Sequence, residues 1–547
     1  MSESSYVSEE LLTVWLLLIA VVVATYLIQS YRVVLLPPSS SALLLGVFFG
    51  IVSRIFGLTK ALRFSPAAFF YALLPPIVFA AGFTLKKRSF FDNIGAILTY
   101  AVLGTFISAI VFGTVTYTLV LMHIISPKSM GAAPFAECFM YGAAISSIDP
   151  VATLAVLAQS DTPPILYNLV FGESVLNDAV AIVLFRSIEN AAGSSMNLVT
   201  IPRVLFQFSF LLVGSLVVGV GVGLACAFLL KRFDAYWKGG GQTYAGSHGR
   251  PQGLTISEQF QGGASAGLKH EDEDEGAGHD LIDPTMYEIS IMVMGSYLAY
   301  LVAEVVGMSG IVALFFTGIC HSHYSYYNVS SETQVACRRL FEVGAFLCEL
   351  FVFAYLGLQV ATMNHSFDFG LLLSGIPLAV LSRAVMIVPC TKLVNHYRKN
   401  KLPDNMMRMM WAVGLRGAVA YGLVVNMPSG QEKDDGEAGI GIPAIETATL
   451  MIAVASSLIL GSATGPLLKH FDLEGKTDAE VYTKGWSDAY ARGEVSQASS
   501  EHQYDTSPSK VHSKFKEIDR TILKPVFGGR TFSPNPREAE TEVLLPG

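Results

Sequence analysis

The chain has 547 residues, of which 52% are hydrophobic and only 15% are charged. This composition is far more apolar than that of a soluble protein of similar size, so we exclude a soluble domain. The formal net charge of −8 says little about partners, because much of it lies in one acidic run and in the tail. The six cysteines lie in or beside apolar segments without Cys-x-x-Cys spacing, so no disulfide or metal role is expected.

Apolar segments of about 17–30 residues recur almost from end to end, which is the length that spans a bilayer. We therefore predict an all-α, polytopic membrane protein whose partner is the lipid bilayer and not a nucleic acid. Thirteen transmembrane helices are predicted, at 11–29, 41–57, 67–83, 94–123, 134–158, 164–190, 204–230, 285–306, 308–322, 340–361, 369–395, 405–427 and 443–468.

The distribution of basic residues predicts the orientation of the chain. An odd number of spans places the two termini on opposite sides of the membrane. If the N-terminus is outside, the inside loops contain Lys86, Lys87, Arg88, Arg338, Arg339, Arg398, Lys399, Lys401 and Arg408. This excess of inside positive charge favours a cytosolic C-terminus. Arg54, Lys60 and Arg63 lie on the wrong side in this topology.

Two polar regions divide the chain. A membrane domain is expected over residues 1–470, and residues 471–547 are expected to form a short cytosolic tail. Within the membrane domain, residues 233–283 are rich in glycine and then acidic, which predicts a disordered cytosolic loop. In the tail, the patch FKEIDRTILKPVF at 515–527 is predicted to be ordered.

Residues 142–185 contain three carboxylates at membrane depth, Asp149, Glu173 and Asp178. Each costs at least ~2.5–3.5 kcal/mol on insertion scales, so it is expected to face a cavity, an ion or a partner. In a helix, Ser174 and Asp178 lie one turn apart and offer three hard oxygens to one point. This arrangement suits a small alkali cation or a proton. Two structural interpretations stay open: Asp149 as a helix cap, and Ser174 as a back-bonded helix serine.

Two spans contain a predicted helix break. Pro150 disfavours helical geometry at Asp149, directly before it. In span twelve, the glycine-rich run GLRGAVAYG at 414–422 interrupts the apolar pattern. Breaks at matching places in two halves of a chain indicate an inverted-repeat transporter with its site at the membrane midplane. Arg416 is placed to offset the negative C-terminal ends of the half-helices.

Five acids and two arginines lie within or at the ends of the spans. They are Asp149, Glu173, Asp178, Glu304 and Glu349, with Arg383 and Arg416. Buried ions without partners are strongly destabilising, so pairing is expected. We predict that Glu173 pairs with Arg383 and that Glu349 pairs with Arg416. Asp178 then remains as the carboxylate that can exchange its ligand.

Five motifs together resemble the sodium/proton exchanger family of the cation/proton antiporters. They are FFYALLPPI at 69–77, SIDPVA at 147–152, FGESVLND at 171–178, SGIVA at 309–313 and GLRGA at 414–418. The resemblance covers about residues 11–470 in the right order, and FGESVLND is its most specific part. The run ISSIDPVATLAVL and the tail patch look like the organellar, Golgi and endosomal branch.

The resemblance implies a role for individual residues. Asp178 would be the essential ion-binding carboxylate, and Asn177 its neighbour in the Asn-Asp pair associated with electroneutral exchange. Ser174, Asp149 and the main-chain carbonyl of Ile148 would complete a shell around sodium.

The stretch that contains Phe69, Leu74 and Pro75 matches the region associated with amiloride-type inhibitors. The Glu173–Arg383 pair would hold the core helices in register with Asn177.

The implied fold is a homodimer with an elevator-like core domain, here about residues 94–190 and 369–468. The implied function is electroneutral exchange of Na⁺ for H⁺, which regulates cytosolic or organellar pH and sodium. A Golgi or endosomal membrane is favoured, with the plasma membrane as the alternative. No enzyme chemistry and no cofactor are expected; Na⁺, Li⁺ or K⁺ and H⁺ would be the transported ligands. Regulators that bind the tail are unknown.

Three alternatives stay open. Potassium/proton exchange is the main one, because the choice between the two ions depends on cavity geometry that no motif fixes. An intramembrane aspartyl protease would use Asp149 and Asp178, but no Gly-x-Gly-Asp motif surrounds Asp178. A cation channel would need a pore loop or ring-forming motif, which the sequence lacks.

Overall fold

The computed structural model describes most of the chain, and almost all of the described part is helical. The described residues are 3–31, 37–56, 66–131, 133–149, 151–160, 162–192, 200–241, 284–398, 400–414, 416–432, 438–440, 442–482 and 510–528. A helix extends to Gly241 and so includes the first residues of the loop predicted at 233–283. The rest of that loop, residues 242–283, lies outside the described part.

The helices are numbered in chain order. Those of the first half are α1 (Glu3–Ser30), α2 (Pro38–Ile55), α3 (Pro66–Ala68), α4 (Leu74–Phe83), α5 (Lys87–Asp92), α6 (Ile94–Leu98), α7 (Thr105–Leu121), α8 (Pro134–Ser146), α9 (Val151–Gln159), α10 (Pro164–Ala192) and α11 (Thr200–Gly241). Those of the second half are α12 (Pro284–Val305), α13 (Gly310–His323), α14 (Ser331–Thr362), α15 (Phe369–Tyr397), α16 (Asp404–Ala412), α17 (Ala418–Val425), α18 (Pro443–His470), α19 (Lys510–Ile518) and α20 (Lys524–Phe527).

These helices make the protein a multi-pass membrane protein. Among the described residues, eight helices are long and apolar enough to cross a bilayer, and two shorter apolar stretches accompany them. Each predicted apolar segment coincides with one helix or with consecutive helices; the count of thirteen crossings stays a prediction. α14 begins well before the predicted position 340, because Ser330 caps its first turn by accepting a hydrogen bond from Thr333 N.

Both predicted helix breaks are present. α8 ends at Ser146 and α9 begins at Val151, and residues 147–149 between them are not helical. α16 ends at Ala412 and α17 begins at Ala418. The backbone groups released at such breaks need partners inside the protein, because lipid offers none.

A third irregularity precedes the two prolines of FFYALLPPI. A π-helical turn covers Phe69–Leu73, and the prolines follow in the first turn of α4. Pro75 has no N–H to donate to the carbonyl of Tyr71, four residues earlier. The hydroxyl of Tyr297 on α12 donates to that carbonyl instead, at 3.0 Å. This hydrogen bond fastens the segment to α12.

The larger helices pack into two groups. The first, named the scaffold group, consists of α2, α4, α11, α12, α13 and α14, and the second, named the core group, consists of α7, α8, α10, α15, α17 and α18. Within the scaffold group, a Cβ on Gly46 of α2 would overlap the carbonyl of Ala354 on α14. Small residues let backbones approach this closely in membrane proteins. The predicted core ranges 94–190 and 369–468 fall on the core group.

A short β-hairpin departs from the all-α prediction. Strand β1 (Pro428–Glu432) pairs antiparallel with β2 (Ala438–Ile440), with Pro428 opposite Ile440. The sequence analysis predicts no element between spans twelve and thirteen. A hairpin this short has no alternating apolar run that would reveal it.

The predicted tail patch is helical and docks on the ends of other helices. α19, a π-helical turn at Asp519–Leu523 and α20 form this docked segment. Asp519 is only 3% exposed and accepts a hydrogen bond from the hydroxyl of Tyr324 at 2.8 Å. Its other carboxylate oxygen lies 3.0 Å from Nε2 of His323. The ring of Phe515 stacks on Phe91 of α5.

We expect Asp519→Asn to loosen this docked segment. Burial opposes the charge of Asp519, but hydrogen bonds from His323 and Tyr324 hold its pKa below the ordinary value. The charged form therefore stabilises docking above the ordinary aspartate pKa, and this is lost only as the pH falls through the lowered value. Amide hydrogen exchange across 510–528 at neutral pH should rise about tenfold or more, since hydrogen bonds to a charged group are removed.

The matched control is Glu517→Gln, which neutralises an exposed carboxylate of the same segment. Its exchange rates should equal those of the unmodified protein. Equal rates for Asp519→Asn would show that the carboxylate does not hold the segment.

Candidate ion-binding site

The two helix breaks meet inside the core group, and two glycines of GLRGA allow this. A Cβ on Gly417 would overlap the side chain of Asp149, which lies in the other break. A Cβ on Gly414 would overlap the side chain of Arg383 on α15. Close approach, rather than a special backbone angle, therefore requires glycine at both positions.

Asp178 lies on α10 beside the first break. Ser147, the residue directly after α8, donates its hydroxyl to Asp178 Oδ1 at 2.5 Å. The sequence analysis did not identify Ser147 as a site residue. The signal that could have identified it is a hydroxyl side chain next to the predicted helix break, two positions before Asp149.

The peptide of Ile148 is fastened to α10 at both of its polar groups. Its N–H donates to Asn177 Oδ1 at 3.0 Å, and its carbonyl accepts the hydroxyl of Ser174. Backbone groups in a break are thereby satisfied by side chains of one neighbouring helix. Ser174 therefore bonds the break and not the backbone of its own helix, which disfavours the back-bonded interpretation.

Asn177 is held from its other side as well. Its Nδ2 donates to Oγ1 of Thr105 at 2.6 Å, at the start of α7. The amide thus uses its oxygen on the break and its nitrogen on α7. An aspartate at this position would have no N–H for Thr105. Asn177 consequently positions the break relative to two core helices.

Glu173 and Arg383 are brought together as an ion pair. Their atoms Oε1 and Nη1 are 2.9 Å apart, and the two residues are 1% and 3% exposed. Nη2 of Arg383 also donates to the carbonyl of Met410 at 2.6 Å, near the end of α16. The guanidinium therefore links α10, α15 and α16 and satisfies a carbonyl in the last turn before the second break.

Arg416 and Glu349 are not brought together as predicted. Arg416 donates instead to the carbonyls of Ser147 at 3.4 Å and Ala379 at 3.2 Å. Ser147 directly follows α8, so the guanidinium meets the negative end of a half-helix. Carbonyls released by the break compete successfully for this cation. Within the described residues no ion pair involves Glu349, which lies in the wall of a cavity.

That cavity has a volume of about 440 Å³ and reaches the crossing of the breaks. Asp149, Asp178 and Ser147 lie in its core-group wall, and Glu349 lies on the scaffold side. Of the predicted inhibitor stretch, Phe69 and Leu74 line the cavity, whereas Pro75 is buried outside its wall. The wall is mostly apolar, so an ion that reaches the crossing of the breaks would meet these polar groups there.

One end of the cavity lies among helix ends. Gln29, Ser39, Thr84 and Glu342 line it there, at the end of α1, the start of α2, the end of α4 and the first third of α14. In the predicted topology all four face the cytosol. We name this end the cavity mouth.

A second ion pair lies outside the predicted set. Arg186 Nη1 is 3.2 Å from Glu304 Oε1, with side chains 35% and 19% exposed. The sequence analysis counted two arginines at depth and left Glu304 without a partner. The missed signal was an arginine two helical turns after Asp178, inside predicted span six.

Broken helices that cross beside a half-buried acid, within a multi-pass helical protein, define the class of ion-coupled secondary transporters. A family model described as "Sodium/hydrogen exchanger, transmembrane" matches residues 17–241 and 281–470. The chain belongs to this family, a family of transporters rather than enzymes, and the predicted resemblance is confirmed.

Curated relatives extend the match over most of the chain. It is 34% identical to sodium/hydrogen exchanger 8 of Homo sapiens over 484 residues, covering 86% of this chain and 73% of that protein. It is 33% identical to sodium/hydrogen exchanger 5 of Arabidopsis thaliana over 538 residues, covering 94% and 92%.

Among solved structures, the sodium proton antiporter MjNhaP1 from Methanocaldococcus jannaschii shares the fold. The TM-score is 0.59 at 17% sequence identity, and the match covers 86% of this chain and 100% of that structure.

We expect Arg383→Ala to destabilise the protein by about 3–5 kcal/mol, because Glu173 would be left buried without its partner. Adding Glu173→Gln should recover much of this loss, since the uncompensated charge is then gone. Thermal unfolding in detergent measures both effects.

Arg338→Gln is the matched control, because it removes an exposed Arg–Glu pair within one helix, with Nε and Oε1 3.0 Å apart. Its cost should stay below about 1 kcal/mol. Equal losses for Arg383→Ala and Arg338→Gln would contradict the assigned importance of the buried pair.

Proposed function

We propose that the protein exchanges sodium ions for protons across a membrane, and that both ligands compete for Asp178. The observation that carries this proposal is the contrast between two acids of α10. Glu173 is neutralised by Arg383, whereas Asp178 faces the cavity and receives a serine hydroxyl. A proton or a cation is therefore the natural partner for its charge.

The sodium shell in this proposal consists of oxygens from the first break and from α10. Asp178 and Asp149 supply carboxylates, and Ser174 with the carbonyl of Ile148 supplies two more ligands. In the structure the hydroxyl of Ser174 donates to that carbonyl, so a bound ion would turn both oxygens toward itself. The hydroxyl of Ser147 is a further candidate ligand. The relatives are named sodium/hydrogen exchangers, which favours sodium over the potassium alternative.

Exchange without leak follows from the cost of moving a bare carboxylate. Unliganded Asp178 would cross while charged and dehydrated, whereas sodium or a proton neutralises it. The core then moves easily between the states open to either side only when Asp178 carries a ligand. Transport of sodium in one direction is therefore coupled to transport of a proton in the other. One exchangeable charge gives one sodium ion per proton and no net current. No further cofactor takes part.

The motion in this proposal is a movement of the core group against the scaffold group, as an elevator. The division of the helices into two packed groups supports it, with Asp178 in the core group and Glu349 in the scaffold group. The proposal includes thirteen crossings and a homodimer.

A cytosolic C-terminus and a Golgi or endosomal membrane also belong to the proposal. The basic residues of the predicted inside loops support that orientation. The tail patch supports that location, because its sequence resembles that of the organellar branch.

Asp178→Asn should abolish acid-driven sodium uptake into proteoliposomes while leaving the protein folded. Asparagine keeps an oxygen for the hydroxyl of Ser147 but has no charge to exchange. Uptake should fall to the background of empty liposomes.

Glu332→Gln serves as the control, because it neutralises an exposed carboxylate in the first turn of α14. Its uptake should match that of the unmodified protein. Normal uptake by Asp178→Asn would refute the proposed role.

A further inference from the structure

The Arg186–Glu304 pair joins the helix that carries Asp178 to the scaffold group. Arg186 lies on α10, about 12 Å beyond Asp178 along the helix axis. Glu304 lies near the end of α12 and is held in place there, because Gly310 N donates to its Oε1 at 2.9 Å. The guanidinium contacts both carboxylate oxygens, at 3.2 and 3.4 Å. A relative movement of the two groups at this point would have to break the pair.

The pair lies close to two residues that line the cavity. These are Ile182 and Ile311. Ile182 is one helical turn before Arg186, and Ile311 directly follows Gly310, which anchors Glu304. The ion pair is therefore adjacent to two apolar residues of the cavity wall.

The Arg186–Glu304 pair lies at the end of the helix bundle opposite to the cavity mouth. Glu288, at the start of α12, accepts a hydrogen bond from the hydroxyl of Ser330 beside the start of α14, at 2.9 Å. Glu342 of the mouth lies on the first third of α14, so the mouth and the start of α12 share one end of the bundle. Glu304 lies sixteen residues further along α12, about 24 Å away.

We propose that Arg186 and Glu304 form a latch that closes the far side of the ion pathway while the cavity is open at its mouth. The latch opens and re-forms in each transport cycle, so this inference rests on the proposed alternating access. Arg186 is then a positioning residue that acts through the movement of α10 and does not touch the ion.

The exposure of the pair suits a contact that breaks repeatedly. With side chains 35% and 19% exposed, the pair is only partly enclosed by the rest of the protein. The fully buried Glu173–Arg383 pair lies within the core group and need not break. Arg186 also has an acidic neighbour on its own helix, Glu189, three residues further on. Its charge is therefore still partly balanced when the latch is open.

Neutralising the latch should shift sodium affinity differently on the two sides. Because Arg186→Gln removes a contact of the far-closed state, the far-open state gains population. KM for sodium offered from the far side should fall about two- to fivefold, while KM from the mouth side should not fall. Right-side-out and inside-out vesicles give the two values.

Companion variants separate the latch from a structural role. Glu304→Gln keeps an oxygen for Gly310 N and should give the same shift, and the double variant should add nothing further. Arg186→Lys keeps the charge and should shift KM less. Lys476→Gln, which breaks the Lys476–Asp472 pair within one short segment, should leave both values unchanged. Equal loss of affinity from both sides for Arg186→Gln would overturn the latch.

Cross-linking provides a direct test. In the variant Arg186→Cys/Glu304→Cys, a short reducible thiol cross-linker should arrest exchange, and reduction should restore it. The control Glu288→Cys/Ser330→Cys links two scaffold helices and should keep exchanging when cross-linked. Continued exchange by the cross-linked latch variant would overturn the inference. Absence of exchange in the unmodified protein would instead contradict the proposed function, so the two failures are distinguishable.

Discussion

Among the described residues, Asp178 has no ion-pair partner at the crossing of two broken helices, and the rest of the structure depends on this constraint. The half-buried carboxylate is reached by a cavity and receives a hydrogen bond from Ser147. A permanent guanidinium here would neutralise the carboxylate without a bound sodium ion or proton. An apolar side chain would remove the site. In the proposed function, ion binding and conformational change therefore depend on the same ionisable group.

The surrounding interactions keep that group in place. The peptide of Ile148 is bonded at both ends by Ser174 and Asn177, so the first break is fastened to the helix that carries Asp178. Gly417 then admits the second break against Asp149. None of these contacts supplies a neutralising charge, so they shape the site without closing it to an ion. Further along the same α10, the Arg186–Glu304 pair links this helix to the scaffold group.

Much of the fold and of the candidate site could be predicted from the sequence, because the length of an apolar segment and the polar residues within it are local signals. Proline after Asp149 and the glycines of GLRGA marked both breaks, and two unlike charges at depth brought Glu173 to Arg383. The Glu349–Arg416 prediction failed because charge counting ignores carbonyls that a break releases. Ser147, the hairpin and the Arg186–Glu304 contact depend on which backbone atoms meet in space, and no spacing along the chain encodes that.

The central claim is that one carboxylate, Asp178, binds either one sodium ion or one proton and exchanges the one for the other. The most direct measurement records current across a membrane of reconstituted protein at clamped voltage, while sodium and pH gradients drive turnover. We predict sodium flux with an equal and opposite proton flux and no steady current at any voltage. A steady, sodium-dependent current, or a turnover rate that follows the voltage, would contradict the account.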